Sequence, residues 1–234
     1  MNPFFRPLVL GHRGSPRESR ENTLESFGRA ILAGADGVEM DVQRSRDGVP
    51  VVIHDDSLER VWEMRHRVSK LHWSAIERLV GARIPSFEQV AAWAATSGAW
   101  LNVELKAANV EAEVLRLIDH FGIRDRTFVS SFDPALVSAF GRVDDDVRRF
   151  FLTERWDAAA LSDFERSGAS GICLGDDAAT AVTLEDLHRR GLPVIVWTVN
   201  ESARVKELLQ AGVVGIISDL PAMAARERDI FAES

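Results

Sequence analysis

A single cysteine, Cys173, stands in a chain of 234 residues, so no disulfide can form within one molecule and burial and hydrogen bonding must hold the fold. No apolar run approaches the roughly 20 residues that span a bilayer. The first stretch, Met1 to Leu10, lacks the long apolar region and small-residue cleavage site of a secretory signal. These absences make a reducing cytoplasm the expected compartment and give no expectation of stable membrane insertion. Basic residues are in deficit: 28 Lys and Arg against 36 Asp and Glu give a formal net charge of −8. That argues against a nucleic-acid partner but leaves room for an anionic small molecule held by local cations. With no Gly-x-Ser-x-Gly elbow, a nucleophilic-serine hydrolase is disfavoured. Gly11 and Gly14 also miss the Gly-x-Gly-x-x-Gly spacing of a dinucleotide-binding turn.

What the chain does have is length and alternation. Apolar residues make up 46% and charged residues 27%, enough for one large core, so 1–234 reads as a single domain. Apolar, β-branched runs resembling buried parallel strands fall at 8–10, 37–41, 99–104, 127–130, 148–152, 171–174, 193–197 and 214–218. Each is followed by a helix with its own start signal. Asn22 or Thr23 can cap the first, and Ser86 with Gln89 makes a capping box for the second. Asn109 opens the third, Asp133-Pro134 the fourth, a position near Asp157 the fifth, Thr183 the sixth, Asn200 the seventh and Pro221 the last. Eight strand–helix units in order predict an α/β fold, a (β/α)8 TIM barrel.

One more run, 51–54, does not fit that count. Asp47-Gly48 suits a two-residue turn, which makes 38–55 a β-hairpin pairing Arg46 with Val49, Arg44 with Val51, Val42 with Ile53 and Asp41 with His54. The return arm is then antiparallel and lies outside the barrel. Residues two apart share a strand face, so Glu39 and Asp41 point together and His54 is carried back to them. Residues 57–85 are irregular, with Trp62, Met64, His66 and Trp73 among many charges. Together with the return arm they form a loop-rich excursion of about 44–85 over the barrel's top.

Barrel enzymes carry their chemistry at the C-terminal ends of the strands, and the candidate residues converge there. His12 and Arg13 follow the first strand, Glu39 and Asp41 end the second, Glu104 and Lys106 the third, and Trp197 the seventh. Acids on buried strands must be paired or bind metal, and three carboxylates offer hard oxygen ligands suited to Mg2+ or Ca2+ rather than zinc. Arg13 and Lys106 supply positive charge for an anionic oxygen, phosphate above all; the alternative for Lys106 is that it only neutralises Glu104. Two histidines, His12 and His54, can serve as general acid and base near neutral pH. Metal ligands, cations and paired histidines together point to phosphodiester cleavage.

The motifs run in a set order: His12-Arg13-Gly14, Glu21-Asn22-Thr23, Glu39-x-Asp41-Val42, Asp47-Gly48 with Val51-Val52-Ile53-His54-Asp55, and Asn102-Val103-Glu104-Leu105-Lys106. Ser130-Ser131-Phe132, Val196-Trp197-Thr198-Val199-Asn200 and Ser218-Asp219-x-Pro221 follow. In this order and spacing the chain resembles the glycerophosphodiester phosphodiesterase family over nearly its whole length. The resemblance implies that His12 and His54 are the acid/base pair, that Glu39, Asp41 and Glu104 hold a divalent cation, and that Arg13 and Lys106 contact phosphate. It also implies that Trp197 packs on the glycerol part of the substrate; the plain alternative is core filling. Glu21 is taken as substrate-binding, the alternative being a helix-start charge with no contact to the site. The implied partner is a small glycerophosphodiester. The resemblance further implies that a glycerol hydroxyl attacks phosphorus and water opens the cyclic phosphate, so that sn-glycerol 3-phosphate and an alcohol leave.

Many relatives have a Gly-rich stretch after the His-Asp pair, where this chain reads Arg60-Val61-Trp62-Glu63-Met64-Arg65-His66. Trp62 and Trp73 would make the alcohol side of the pocket more apolar than usual. That keeps a lysophospholipase D-type activity open, with an exposed apolar loop near Trp62 as its mark. A non-catalytic barrel binding phosphate esters is the other alternative, disfavoured because both histidines and all three carboxylates are present.

Overall fold

A computed structural model of the chain describes residues 6–81 and 83–233. Nine strands occur in it: β1 (Leu8–His12), β2 (Gly37–Arg44), β3 (Pro50–Val52), β4 (Trp100–Leu105), β5 (Thr127–Ser131), β6 (Arg148–Thr153), β7 (Gly171–Gly175), β8 (Val194–Trp197) and β9 (Gly215–Ser218). All but β3 are parallel neighbours in the order β1-β9-β8-β7-β6-β5-β4-β2, and β1 pairs with β2 to close the ring. The expected (β/α)8 barrel is therefore the fold, with β3 antiparallel on β2 and outside the ring.

Alternation along each strand sorts side chains into two cores. Leu8 and Leu10 enter the barrel with Phe128, Phe150, Cys173 and Ile195, and the Phe128 and Phe150 rings lie 4.9 Å apart. Val9, Val38, Met40 and Val103 point outward and pack beneath the helices with Phe27 and Phe87. Burying each such side chain contributes about 1.5–3 kcal/mol. Because the lower barrel is filled with hydrocarbon, the inward positions higher on β2 and β4 are left to Glu39, Asp41, Asn102 and Glu104, all buried.

Ten helices surround these strands among the described residues: α1 (Leu24–Leu32), α2 (Glu59–Trp62), α3 (Trp73–Val80), α4 (Phe87–Ser97), α5 (Glu111–His120), α6 (Pro134–Val143), α7 (Ala158–Ser167), α8 (Ala181–Arg189), α9 (Ser202–Gln210) and α10 (Pro221–Ala232). Thr23 caps α1, Ser86 and Gln89 form the capping box of α4, Asp133 and Asp157 cap α6 and α7, and Pro221 opens α10, all as expected. Three starts differ. Thr180, not Thr183, caps α8, accepting from the Thr183 N–H. Asn109 sits in the left-handed region (φ 63°), which Asn tolerates, and α5 begins after Val110. Asn200 precedes α9 because its side chain is spent elsewhere, on Asp219 and Ser218.

The hairpin register also differs by one residue. Val42 pairs with Val52, Gln43 with Val51 and Arg44 with Pro50, and Ser45 N–H donates to the Val49 carbonyl (3.0 Å). The loop thus has three residues, Arg46-Asp47-Gly48, with the Gly48 N–H bonded to the Ser45 carbonyl and Gly48 at φ 93°, the pattern of a turn followed by a bulge. Ser45 Oγ fixes it by bonding both Asp47 and the Val49 N–H. Residues 57–85, expected to be loop-rich, form a small body of their own. The helices α2 and α3 bury Leu58, Trp62, Ile76 and Val80 against Val51 and Ile53, and the chain returns through a bond from Val52 N–H to the Pro85 carbonyl. Among the described residues no helix is long and apolar enough to cross a membrane.

Candidate active site

The first motif is a turn that presents two side chains. A Cβ on Gly11 would fall 2.2 Å from the Gly14 carbonyl oxygen, so only glycine permits the close approach. The turn leaves His12 at the end of β1 and Arg13 at φ 55°. Arg13 N–H donates to Glu39 Oε2 (3.0 Å), and its side chain reaches Asp41 through Nε (3.1 Å) and Glu21 through Nη1 (3.0 Å). His12 Nδ1 lies 2.7 Å from Asp219 Oδ1, and Asp219 is held in turn by the Asn200 amide (2.9 Å).

His54 arrives by a different route from the one its expected pairing gave. Ile53, not His54, stands opposite Asp41, donating to its carbonyl (2.9 Å). The chain leaves the strand after Val52, and Gln43 Nε2 holds the His54 carbonyl (2.9 Å) at the rim. His54 Nδ1 lies 2.6 Å from Asp55 Oδ1. Each of the two histidines therefore spends Nδ1 on a carboxylate, which leaves Nε2 for other chemistry.

Glu39, Asp41 and Glu104 offer oxygens that all lie within 4.8 Å of one another. Burial and the neighbouring Asp41 charge push Glu39 up to about 7 and Glu104 up to about 8. Asp41 stays below the usual range: burial opposes this, but the Arg13 and Lys106 charges outweigh it. Lys106 Nζ is paired with Glu104 and lies 3.2 Å from Asp41. Glu39 Oε1 is buried with no hydrogen-bond partner among the described residues, an orphaned anionic oxygen that a cation would satisfy. The three acids thus fit a hard divalent ion by donor type, proximity and unmet charge. For His12, burial favours the neutral ring, but the Asp219 hydrogen bond and the Glu39 charge outweigh it and raise its proton affinity.

A cavity of about 170 Å3 opens on this rim, lined among others by His12, Arg13, Glu39, His54, Glu104 and Lys106. Trp197 is on its wall as well, with Nε1 donating to the Cys173 carbonyl (3.3 Å) and its ring edge-on to Phe132 at 5.4 Å. Asp41 lies beneath, where Asn22 Nδ2 also donates to it (2.8 Å). Glu21 is not on the wall; it stands behind Arg13. Trp62 and Trp73 are not there either. Trp62 is buried in the excursion, contacted by the Arg20 and Arg83 guanidinium groups, and Trp73 packs on the same small core. The apolar wall expected from those two is instead made by Phe132, Leu152 and Ile217. Asn22, Asp55 and Asp219 sat inside the quoted motifs without an assigned part; the signal available was their place beside a histidine or a strand end.

The sequence model of the glycerophosphoryl diester phosphodiesterase family matches residues 12–223, beginning on His12. The chain belongs to the glycerophosphoryl diester phosphodiesterase family. A glycerophosphodiester phosphodiesterase of Bacillus altitudinis is 30% identical, with 94% of this chain and 98% of that protein covered. Among solved structures, the glycerophosphodiester phosphodiesterase of Thermotoga maritima has a TM-score of 0.82 at 25% identity, covering 95% of this chain and 99% of that one. An Oleispira antarctica phosphodiesterase in complex with the product sn-glycerol-3-phosphate has a TM-score of 0.85 at 24% identity, covering 96% and 98%, and shares the fold. Membership of the glycerophosphoryl diester phosphodiesterase family bears out both the barrel and the expected class of enzyme, a phosphodiesterase.

Proposed function

We propose that this chain hydrolyses glycerophosphodiesters to sn-glycerol 3-phosphate and an alcohol, using His12 and His54 as general acid and base beside a divalent cation held by Glu39, Asp41 and Glu104. One observation carries the reading: two histidines, each anchored through Nδ1 to its own carboxylate, face one cavity with three converging acids and two cations. Family membership supports the same chemistry.

Mg2+ or Ca2+ bound by the three carboxylates supplies charge to offset that building on the phosphoryl oxygens. Arg13 and Lys106 add fixed positive charge, held in place by Glu21, Asp41 and Glu104. One imidazole takes the proton of the attacking glycerol hydroxyl through Nε2 and the other gives a proton to the departing alkoxide; water then opens the resulting cyclic phosphate, the two imidazoles exchanging roles, to give sn-glycerol 3-phosphate. The carboxylates on Nδ1 keep both rings oriented and stabilise whichever carries the charge. Trp197 and Phe132 form the aromatic wall against which the glycerol part packs. A lone buried thiol, Cys173, whose proton affinity burial pushes up, suits a reducing cytoplasm and takes no part in the reaction. The lysophospholipase D reading loses its main support, because Trp62 is only 7% exposed.

The test is release of sn-glycerol 3-phosphate from a panel that includes glycerophosphocholine, with EDTA or with Mg2+ and Ca2+ restored, on wild type and His12→Ala. Release should vanish in EDTA and in the variant. Turnover that survives both would overturn the reading.

A further inference from the structure

Behind the site, the excursion that brings in His54 and Asp55 also places Arg60, on α2. Its Nη1 and Nη2 donate to the two oxygens of Glu21 (2.9 and 2.7 Å), and its Nε donates to Asp55 Oδ2 (2.5 Å). Each of these carboxylates has a second partner. The other oxygen of Asp55 meets His54 Nδ1 (2.6 Å), and Glu21 Oε1 accepts from Arg13 (3.0 Å). Charges alternate along the chain Arg13, Glu21, Arg60, Asp55, His54, so one guanidinium joins the residue behind the histidine to the residue behind the arginine. We propose that Arg60 is a positioning residue for the phosphodiester reaction, holding Asp55 so that His54 keeps one tautomer and orientation, and holding Glu21 so that Arg13 is not drawn off its phosphate-facing position. The proposal rests on the function argued above.

The physical case is one of order and charge. Asp55 and Glu21 are partly exposed, and an isolated exposed carboxylate contact is weak and mobile. A planar fork with several donors in fixed directions removes that freedom for two acids at once. Both carboxylates are held below the usual range: burial opposes this, while for Glu21 the Arg60 hydrogen bond, and for Asp55 the His54 and Arg60 hydrogen bonds, outweigh it. Without Arg60, Glu21 would have Arg13 as its remaining cation and Asp55 would lose the bond that fixes its second oxygen. Lysine, a point charge, could serve one of the two acids but not both.

The test compares wild type with Arg60→Met and Arg60→Lys, and uses Arg65→Met as a control, since Arg65 is on the same excursion but pairs with Glu59 in solvent. With Arg60→Met, kcat should fall about tenfold to a hundredfold, the cost of a misplaced catalytic group, and KM should rise as well. Arg60→Lys should recover part of one parameter only, and Arg65→Met should leave both unchanged. Added methylguanidinium should restore turnover to Arg60→Ala. Independently of turnover, 15N shifts of the His54 ring should show one neutral tautomer, with the proton on Nδ1, in wild type and a mixture in Arg60→Met. Thermal unfolding checks that each variant is folded. Wild-type turnover and tautomer retained in folded Arg60→Met would overturn the proposal. A wild type inactive on every diester would overturn the function instead, and the tautomer would still decide whether Arg60 positions His54.

Discussion

Asp219 Oδ1 lies 2.7 Å from His12 Nδ1, although 207 residues separate the two in sequence. The pair joins the first strand of the barrel to the last, across the seam where β1 meets β9. Asp219→Asn keeps the size and the Asn200 contact but offers an amide where the ring needs an anion. We expect kcat to fall about a hundredfold or more, the cost of an unsupported imidazolium and a wrong tautomer, with little change in melting temperature, because the side chain is partly solvated. Steady-state kinetics alongside thermal unfolding checks both halves. Full turnover in the variant would mean that His12 does not work through this pair.

The carboxylate cluster makes a prediction about pH. Burial first, and the Asp41 charge second, raise Glu39 to about 7 and Glu104 to about 8, against about 4.3 for an ordinary glutamate in the unfolded chain. The folded state therefore binds more protons than the unfolded one between those values, and stability falls as pH rises across that window, levelling off above it. A bound cation relieves this penalty where the acids are ionised. Mg2+ or Ca2+ should thus raise the melting temperature more at pH 8.5 than at pH 5, and Glu104→Gln in EDTA should be less sensitive to the same pH change than wild type. An equal metal effect at both pH values would contradict the cluster's assigned role.

Barrel and strand positions were legible because buried parallel strands are nearly continuous apolar runs, interrupted only by residues the site requires. Glu39, Asp41 and Glu104 stood out for that reason. The hairpin register was not legible, since Asp47-Gly48 serves two-residue and three-residue loops alike; what selects between them is the Ser45 hydroxyl bonding Asp47 and the Val49 N–H. Arg60 gave no signal, because its partners Glu21 and Asp55 lie 39 and 5 residues away in elements that only the folded excursion brings together. Trp62 misled for the opposite reason. A large aromatic near a catalytic motif suggests a wall of the catalytic cavity, yet Trp62 packs into the excursion's own core and lines a separate cleft with Arg20 and Arg83.

Asn22 tests how far support for the metal site reaches. It is buried at φ 55° and donates Nδ2 to Asp41 (2.8 Å). Asn22→Asp replaces a donor by a second anion beside Asp41 and should abolish activity, whereas Asn22→Gly relieves the backbone and loses the Nδ2 bond together with the longer one that Oδ1 accepts from the Asp41 N–H (3.4 Å). We expect the glycine variant to lose about 1–3 kcal/mol, the cost of leaving a buried acceptor short of a donor, and to bind metal more weakly. Denaturant unfolding and metal titration by calorimetry give the two numbers. A glycine variant with wild-type metal affinity would remove Asn22 from the site.

Trp197 separates substrate packing from core filling. Its ring lies edge-on to Phe132 at 5.4 Å, and Phe132 is 41% exposed at the cavity mouth, so the two rings make a wall with one wet side. A residue that fills core loses stability when truncated, about 3–5 kcal/mol for a fully buried tryptophan. One that packs on bound glycerol loses binding shared by ground and transition states, which raises KM and spares kcat. Trp197→Ala should therefore raise KM about tenfold, equivalent to about 1.4 kcal/mol of packing, with kcat changed far less. The lost contact with the Cys173 carbonyl should cost a modest part of the melting temperature. A large drop in melting temperature with KM unchanged would assign Trp197 to the core and leave Phe132 as the aromatic that meets substrate.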